Sequence, residues 1–112
     1  MTPRGETGLW IAQRASAAVL AVCVLVHIVV MVYAVRGGLS AAEILGRTRG
    51  SAGWAAFYAL FVAAVAVHAP IGLRAVAVEW LGWRGRSLGI VLHLFGLLLL
   101  VLGLRAVWAV FA

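Results

Sequence analysis

Lysine, aspartate and asparagine are absent from this sequence, acidic residues number three, and cysteine occurs once. Charged residues make up 11% of the 112 positions, against about a quarter in an ordinary soluble domain. A chain this short leaves much of its surface exposed when it folds alone, and its polar side chains are too few to cover that surface. A soluble globular domain is therefore excluded. The 66% apolar composition and mean hydropathy of +1.15 also exclude a disordered chain, which requires low hydrophobicity. Cys23 lies inside an apolar run, so neither a disulfide framework nor a thiolate cluster is available. All nine basic residues are arginine, giving a net charge of +6. In a soluble protein that excess would suggest nucleic acid. In a chain this apolar it points to headgroups and buried anions, and no nucleic-acid partner is expected.

What is present is long apolar sequence. A helix needs about 20 apolar residues to cross roughly 30 Å of hydrocarbon. Three runs qualify, near 15–35, 54–78 and 88–108. The tryptophans at 10, 54, 80, 83 and 108 fall near the ends of these runs, where an interfacial aromatic belt belongs. The expected fold is an all-α membrane protein, one membrane-anchor domain over residues 1–112 with three spans running up, down and up. Between the first two spans, Ser40 followed three residues later by Glu43 has the pattern of an N-cap for a short surface helix. A tight turn is expected from Leu81 to Ser87. Val32-Tyr33-Ala34 resembles a signal-peptide cleavage site, but the apolar run before it is too long for a signal and two further spans follow. Arg74 apart, arginines divide four against four between the two sides, so the positive-inside rule gives no orientation unless Arg74 counts as inner.

Ionisable groups inside a span are costly and are functional candidates by default. His27, His68 and His93 all lie within the apolar runs. Neutral imidazole is a common metal ligand and an axial ligand of haem iron. His27 is 13 residues past Arg14 and His68 is 12 before Trp80. At 1.5 Å per residue these are depths of about 20 and 18 Å from one side, which predicts both rings near the midplane. On the second span Phe57, Phe61, Ala64, His68, Gly72, Ala75 and Glu79 share a face. Small residues on either side of His68 leave room there for a flat macrocycle. Ser16, Leu20, Cys23, His27 and Met31 align on the first span, and Gly89, His93, Gly96, Leu100 and Gly103 on the third. Each histidine has a plainer alternative, a hydrogen bond to a carbonyl or hydroxyl of a neighbouring helix. Arg74, still within the second run, suits an anion such as a haem propionate through bidentate bonds; its alternatives are snorkelling to headgroups or pairing with Glu79.

Two segments carry a family resemblance. His68-Ala69-Pro70-Ile71-Gly72-Leu73-Arg74 with Glu79, and Trp10-Ile11-Ala12-Gln13-Arg14-Ala15-Ser16-Ala17, resemble the second-helix signature and the first-helix entry of the cytochrome b membrane anchors of succinate dehydrogenase and fumarate reductase. The second helix is nearer the cytochrome b subunit and the entry segment nearer its partner anchor; Gln13 and Ala17 stand where some members carry His and Gly. The resemblance implies a succinate:quinone oxidoreductase subunit in a bacterial inner (plasma) membrane, N-terminus inside, packed with a second membrane-anchor subunit, an iron–sulfur subunit and a flavoprotein subunit. It makes His68 the haem b iron ligand, places Arg14 and Ser16 at the quinone site and propionate edge, and gives Arg74 to the propionates. His27 and His93 are extra to a one-haem pattern and become further ligand candidates, His27 at matched depth as a second ligand. Electrons would then pass from iron–sulfur centres to quinone. Two other functions stay open: a haemless anchor or assembly subunit of another respiratory complex, and a small transporter using Glu79 and the histidines. Inverted repeats would mark the latter, and none is visible.

Overall fold

A computed structural model describes residues 2–38 and 40–112. Four helices follow in order: α1 (Pro3–Gly37), α2 (Ala41–Thr48), α3 (Ala52–Leu81) and α4 (Arg86–Phe111). Among the described residues there is no strand. α1, α3 and α4 are long and apolar enough to cross a membrane. The chain is thus an all-α, multi-pass membrane protein.

The helices reach past the apolar runs because their ends are set by capping chemistry outside the hydrocarbon. α1 starts twelve positions before the first apolar run, with Pro3 in its first turn and the Thr2 hydroxyl accepting from the Gly5 N–H at 3.1 Å. Its 35 residues span about 52 Å at 1.5 Å each, well beyond the hydrocarbon. Ser40 caps α2 by accepting from the Glu43 N–H at 3.1 Å. Ser51 caps α3 by accepting from the Trp54 N–H at 3.3 Å. α3 ends at Gly82, whose φ of +63° suits a residue without Cβ, and the Trp83 indole N–H then donates to Ser87 Oγ at 2.9 Å, fixing the turn into α4.

α3 is the central helix, with α1 packed on one flank and α4 on the other. Packing fixes the antiparallel register. Gln13 of α1 lies beside Gly72, Ser16 beside His68, and His27 beside Tyr58. Gly96 of α4 lies beside Ala66 and Pro70, and Gly103 beside Val62. α2 folds against the last turn of α4: the Gly50 N–H donates to the Phe111 carbonyl (2.8 Å) and Arg49 Nε to that of Ala112 (3.1 Å). These bonds satisfy carbonyls that a helix end leaves open, with a cation at the negative end of the dipole.

The buried apolar set is small, Cys23, Ala64, Ala77, Leu88 and Leu92, while Leu25 and Val29 are 65% and 68% exposed. In water that surface would aggregate. Lipid is a solvent that suits such a surface.

Candidate functional site

The polar cluster between α1 and α3 begins with a serine. Ser16 is 7% exposed, and its hydroxyl donates to the Gln13 carbonyl at 3.1 Å, the back-bond to the preceding turn that a helical serine makes. The same oxygen lies 3.3 Å from His68 Nδ1. A hydroxyl has one proton. With that proton given to Gln13, the contact with His68 requires Nδ1–H as donor and the Ser16 oxygen as acceptor. The imidazole then carries its lone pair on Nε2, the tautomer that binds a metal. The plainer alternative, a hydroxyl partner, and the ligand role are therefore compatible: one nitrogen takes the first and frees the other for the second.

Gln13 is a member of this cluster that sequence reasoning passed over. Its Nε2 lies 3.4 Å from where a Cβ on Gly72 would stand, and its Oε1 is buried without a partner. The available signal was a lone amide, the only glutamine of the chain, one residue before Arg14. Arg14 itself is exposed, its guanidinium 5.2 Å above the Trp10 ring. Arg74 is half-buried on α3. Six residues at 100° each turn it about 120° from His68, so the two occupy different faces.

Three expectations need correction. Ala64 and Gly72 do not leave open space beside His68: Ala64 is 8% exposed, and the Gln13 side chain of α1 occupies the room at Gly72. A flat group bound to His68 must lie on the part of this half-buried ring that α1 leaves uncovered. Nor do His27 and His68 share a depth. Their α1 neighbours, residues 27 and 16, are eleven apart, about 16 Å along the helix, too far for one iron to bind both. The depth count failed because Arg14 sits a third of the way along α1, level with Gly72, and does not mark its end. Finally, the small-residue face of α4 packs only in part: Gly96 and Gly103 touch α3, but His93 is exposed.

His27 has its own aromatic setting. Its Nδ1 is 3.5 Å from the Tyr58 hydroxyl, and Tyr58 and Phe61 meet its ring edge-on at centroid distances of 5.9 and 5.7 Å. It opens on a cavity of about 610 Å³ between α3 and α4, roofed by Ile44 and Thr48 of α2. His93 Nδ1 donates to the Gly89 carbonyl at 2.7 Å, since a carbonyl can only accept; Nε2 of His93 is therefore also bare. No group of three or more metal-ligating side chains forms among the described residues. Each histidine is a single donor.

The family model described as succinate dehydrogenase/fumarate reductase transmembrane subunit matches residues 1–104. Searches of curated proteins and of solved structures return no match.

Proposed function

The chain belongs to the succinate dehydrogenase/fumarate reductase transmembrane subunit family, and we propose that it is the haem b-binding anchor of such a complex. In this reading it holds the iron–sulfur and flavoprotein subunits at a bacterial inner membrane, pairs with a second anchor, and forms part of the quinone site. The observation that carries it is the Ser16–His68 contact of 3.3 Å with the serine proton already committed to Gln13. That arrangement presents an unprotonated Nε2 inside a membrane span, a donor of the kind haem iron takes.

Haem b, when bound, supplies a one-electron carrier between iron–sulfur centres and quinone. The residues of this chain bind and position. His68 Nε2 ligates. Ser16 holds Nδ1–H, which fixes the ring orientation and raises the basicity of Nε2. Arg14 and Arg74 would offer cations to propionates, and Arg14 a donor to a quinone oxygen, from a face of α1 about 160° away from Ser16, which two residues at 100° each set apart. Two tests follow. The purified complex should show a b-type α band in reduced-minus-oxidised difference spectra; a band-free complex with full subunit complement would make this a haemless anchor. Ser16→Ala should keep the band but weaken haem affinity by about tenfold, the low end for loss of an outer-shell partner, with rescue by Ser16→Thr. Haem titration into the apo-complex measures this, and unchanged affinity would remove Ser16 from the role.

A further inference from the structure

The turn of α3 that carries His68 lacks a backbone hydrogen bond. Pro70, inside the helix, has no N–H, so the Ala66 carbonyl misses the donor that an ordinary residue at position 70 would supply. His68 stands midway between these two residues. A membrane helix tolerates such a break where neighbouring helices support it.

Two neighbours do so here. On the α1 side, Ser16 Oγ lies 3.3 Å from His68 Nδ1 and Gln13 lies against Gly72. On the α4 side the support is a glycine. A Cβ on Gly96 would stand 3.1 Å from Pro70 Cγ and 3.3 Å from the Ala66 oxygen, both closer than ordinary contact. Gly96 thus meets both ends of the unpinned turn, the proline ring and the carbonyl that the ring leaves open. Pro70 is two residues from His68, so at about 100° each the two point to sides of α3 about 160° apart. A push on Pro70 from α4 therefore reaches the His68–Ser16 contact from behind.

That contact has little slack. At 3.3 Å it is at the long end of what an N–H···O bond spans, and at about 3.6 Å it is lost. A methyl group on Gly96 would require its neighbours to give by a few tenths of an ångström, which is the same size of change.

We propose that Gly96 is a positioning residue for His68: by seating the Pro70 turn without a Cβ, it keeps the imidazole at bonding distance from Ser16, with its proton on Nδ1. The consequence for electron transfer rests on His68 as the haem ligand; the effect on the ring does not.

The ring is read without haem, on the full-length chain in phosphatidylcholine nanodiscs with ring-¹⁵N histidine, at about pH 8.5, where a free imidazole is neutral. Signals are assigned by replacing each histidine in turn. The parent chain should show His68 protonated at Nδ1 and bare at Nε2. Gly96→Ala should spread the proton over both nitrogens, so that the bare-Nε2 signal falls. Adding Pro70→Ala to Gly96→Ala should restore the parent pattern, because that substitution removes Cγ and returns an N–H to the Ala66 carbonyl. Gly89→Ala, whose Cβ would meet nothing within 4 Å, should leave His68 as it was. In the assembled complex, Gly96→Ala should shift the haem midpoint potential and the double variant should return it. An unchanged His68 ring in Gly96→Ala, an equal change from Gly89→Ala, or a double variant no closer to the parent would each overturn the proposal. So would a fold lost on Gly96→Ala and not recovered in the double variant. A parent complex without a b-type band would end the haem reading and leave the ring experiment to decide the role of Gly96.

Discussion

His68→Ala in the assembled complex should abolish the b-type α band of the difference spectrum. His93→Ala and His27→Ala should leave it in place. If His68 is the ligand as proposed, the loss exceeds the roughly 100-fold upper range for removing an outer-shell partner, because the substitution removes the ligating nitrogen. The asymmetry among the three histidines follows from where each ring stands. Only His68 has an Nδ1 held by a buried side chain of another helix, which is what fixes a ligand's orientation against the rotamer freedom it would otherwise keep. His93 is tied to its own helix, and His27 sits about 16 Å away in depth on a contact of 3.5 Å. The substitution also leaves Ser16 without its donor, but an acceptor retains other lone-pair options and this costs about 1 kcal/mol at most on the neutral hydrogen-bond scale. The anchor should therefore still fold and assemble. Subunit content by gel and band height by spectrum are read on the same preparation: a full complement with an undiminished band would end the assignment of His68.

The spans and the class were legible because hydropathy dominates wherever lipid is the solvent. Helix ends were not, since Thr2, Pro3 and Ser51 act outside the hydrocarbon and leave no trace in an apolar window. Ser40 with Glu43 was legible, being a local pairing of one hydroxyl with one N–H. The first-span face was legible in part: Ser16 and Cys23 are buried, at 7% and 2%, Leu20 and His27 half-buried, and Met31 at its end exposed. What fills a face was not. Ala64 and Gly72 read as space for a cofactor, and at Gly72 a neighbouring helix took it, because small residues serve close helix approach before anything else in a membrane. Depth failed for a related reason. It was counted from Arg14 and Trp80 as if both marked one surface, whereas the Gln13–Gly72 contact sets the register, and a pairwise contact cannot be read from either helix alone.

The same contacts rank three glycines of α4 that sequence treats alike. Gly103→Ala should destabilise the chain most, Gly96→Ala less, and Gly89→Ala not at all. A Cβ on Gly103 would run into Val62, whose side chain occupies that space. Val62 cannot swing aside cheaply, since a β-branched residue in a helix has one strongly preferred χ1. The helices must move apart, an overpacking cost of about 1–3 kcal/mol. On Gly96 the Cβ would lie 3.1 Å from Pro70 Cγ and 3.3 Å from the Ala66 carbonyl oxygen. Both neighbours are stiff, but a shift of a few tenths of an ångström suffices. Nothing lies within 4 Å of a Cβ on Gly89, so alanine there should bring only the gain in helix propensity, about 0.5–1 kcal/mol. Unfolding of the full-length chain in mixed micelles, followed by helical signal against rising denaturing detergent, gives the order directly. If Gly89→Ala proved as harmful as Gly103→Ala, that face of α4 would be packed against something other than α3.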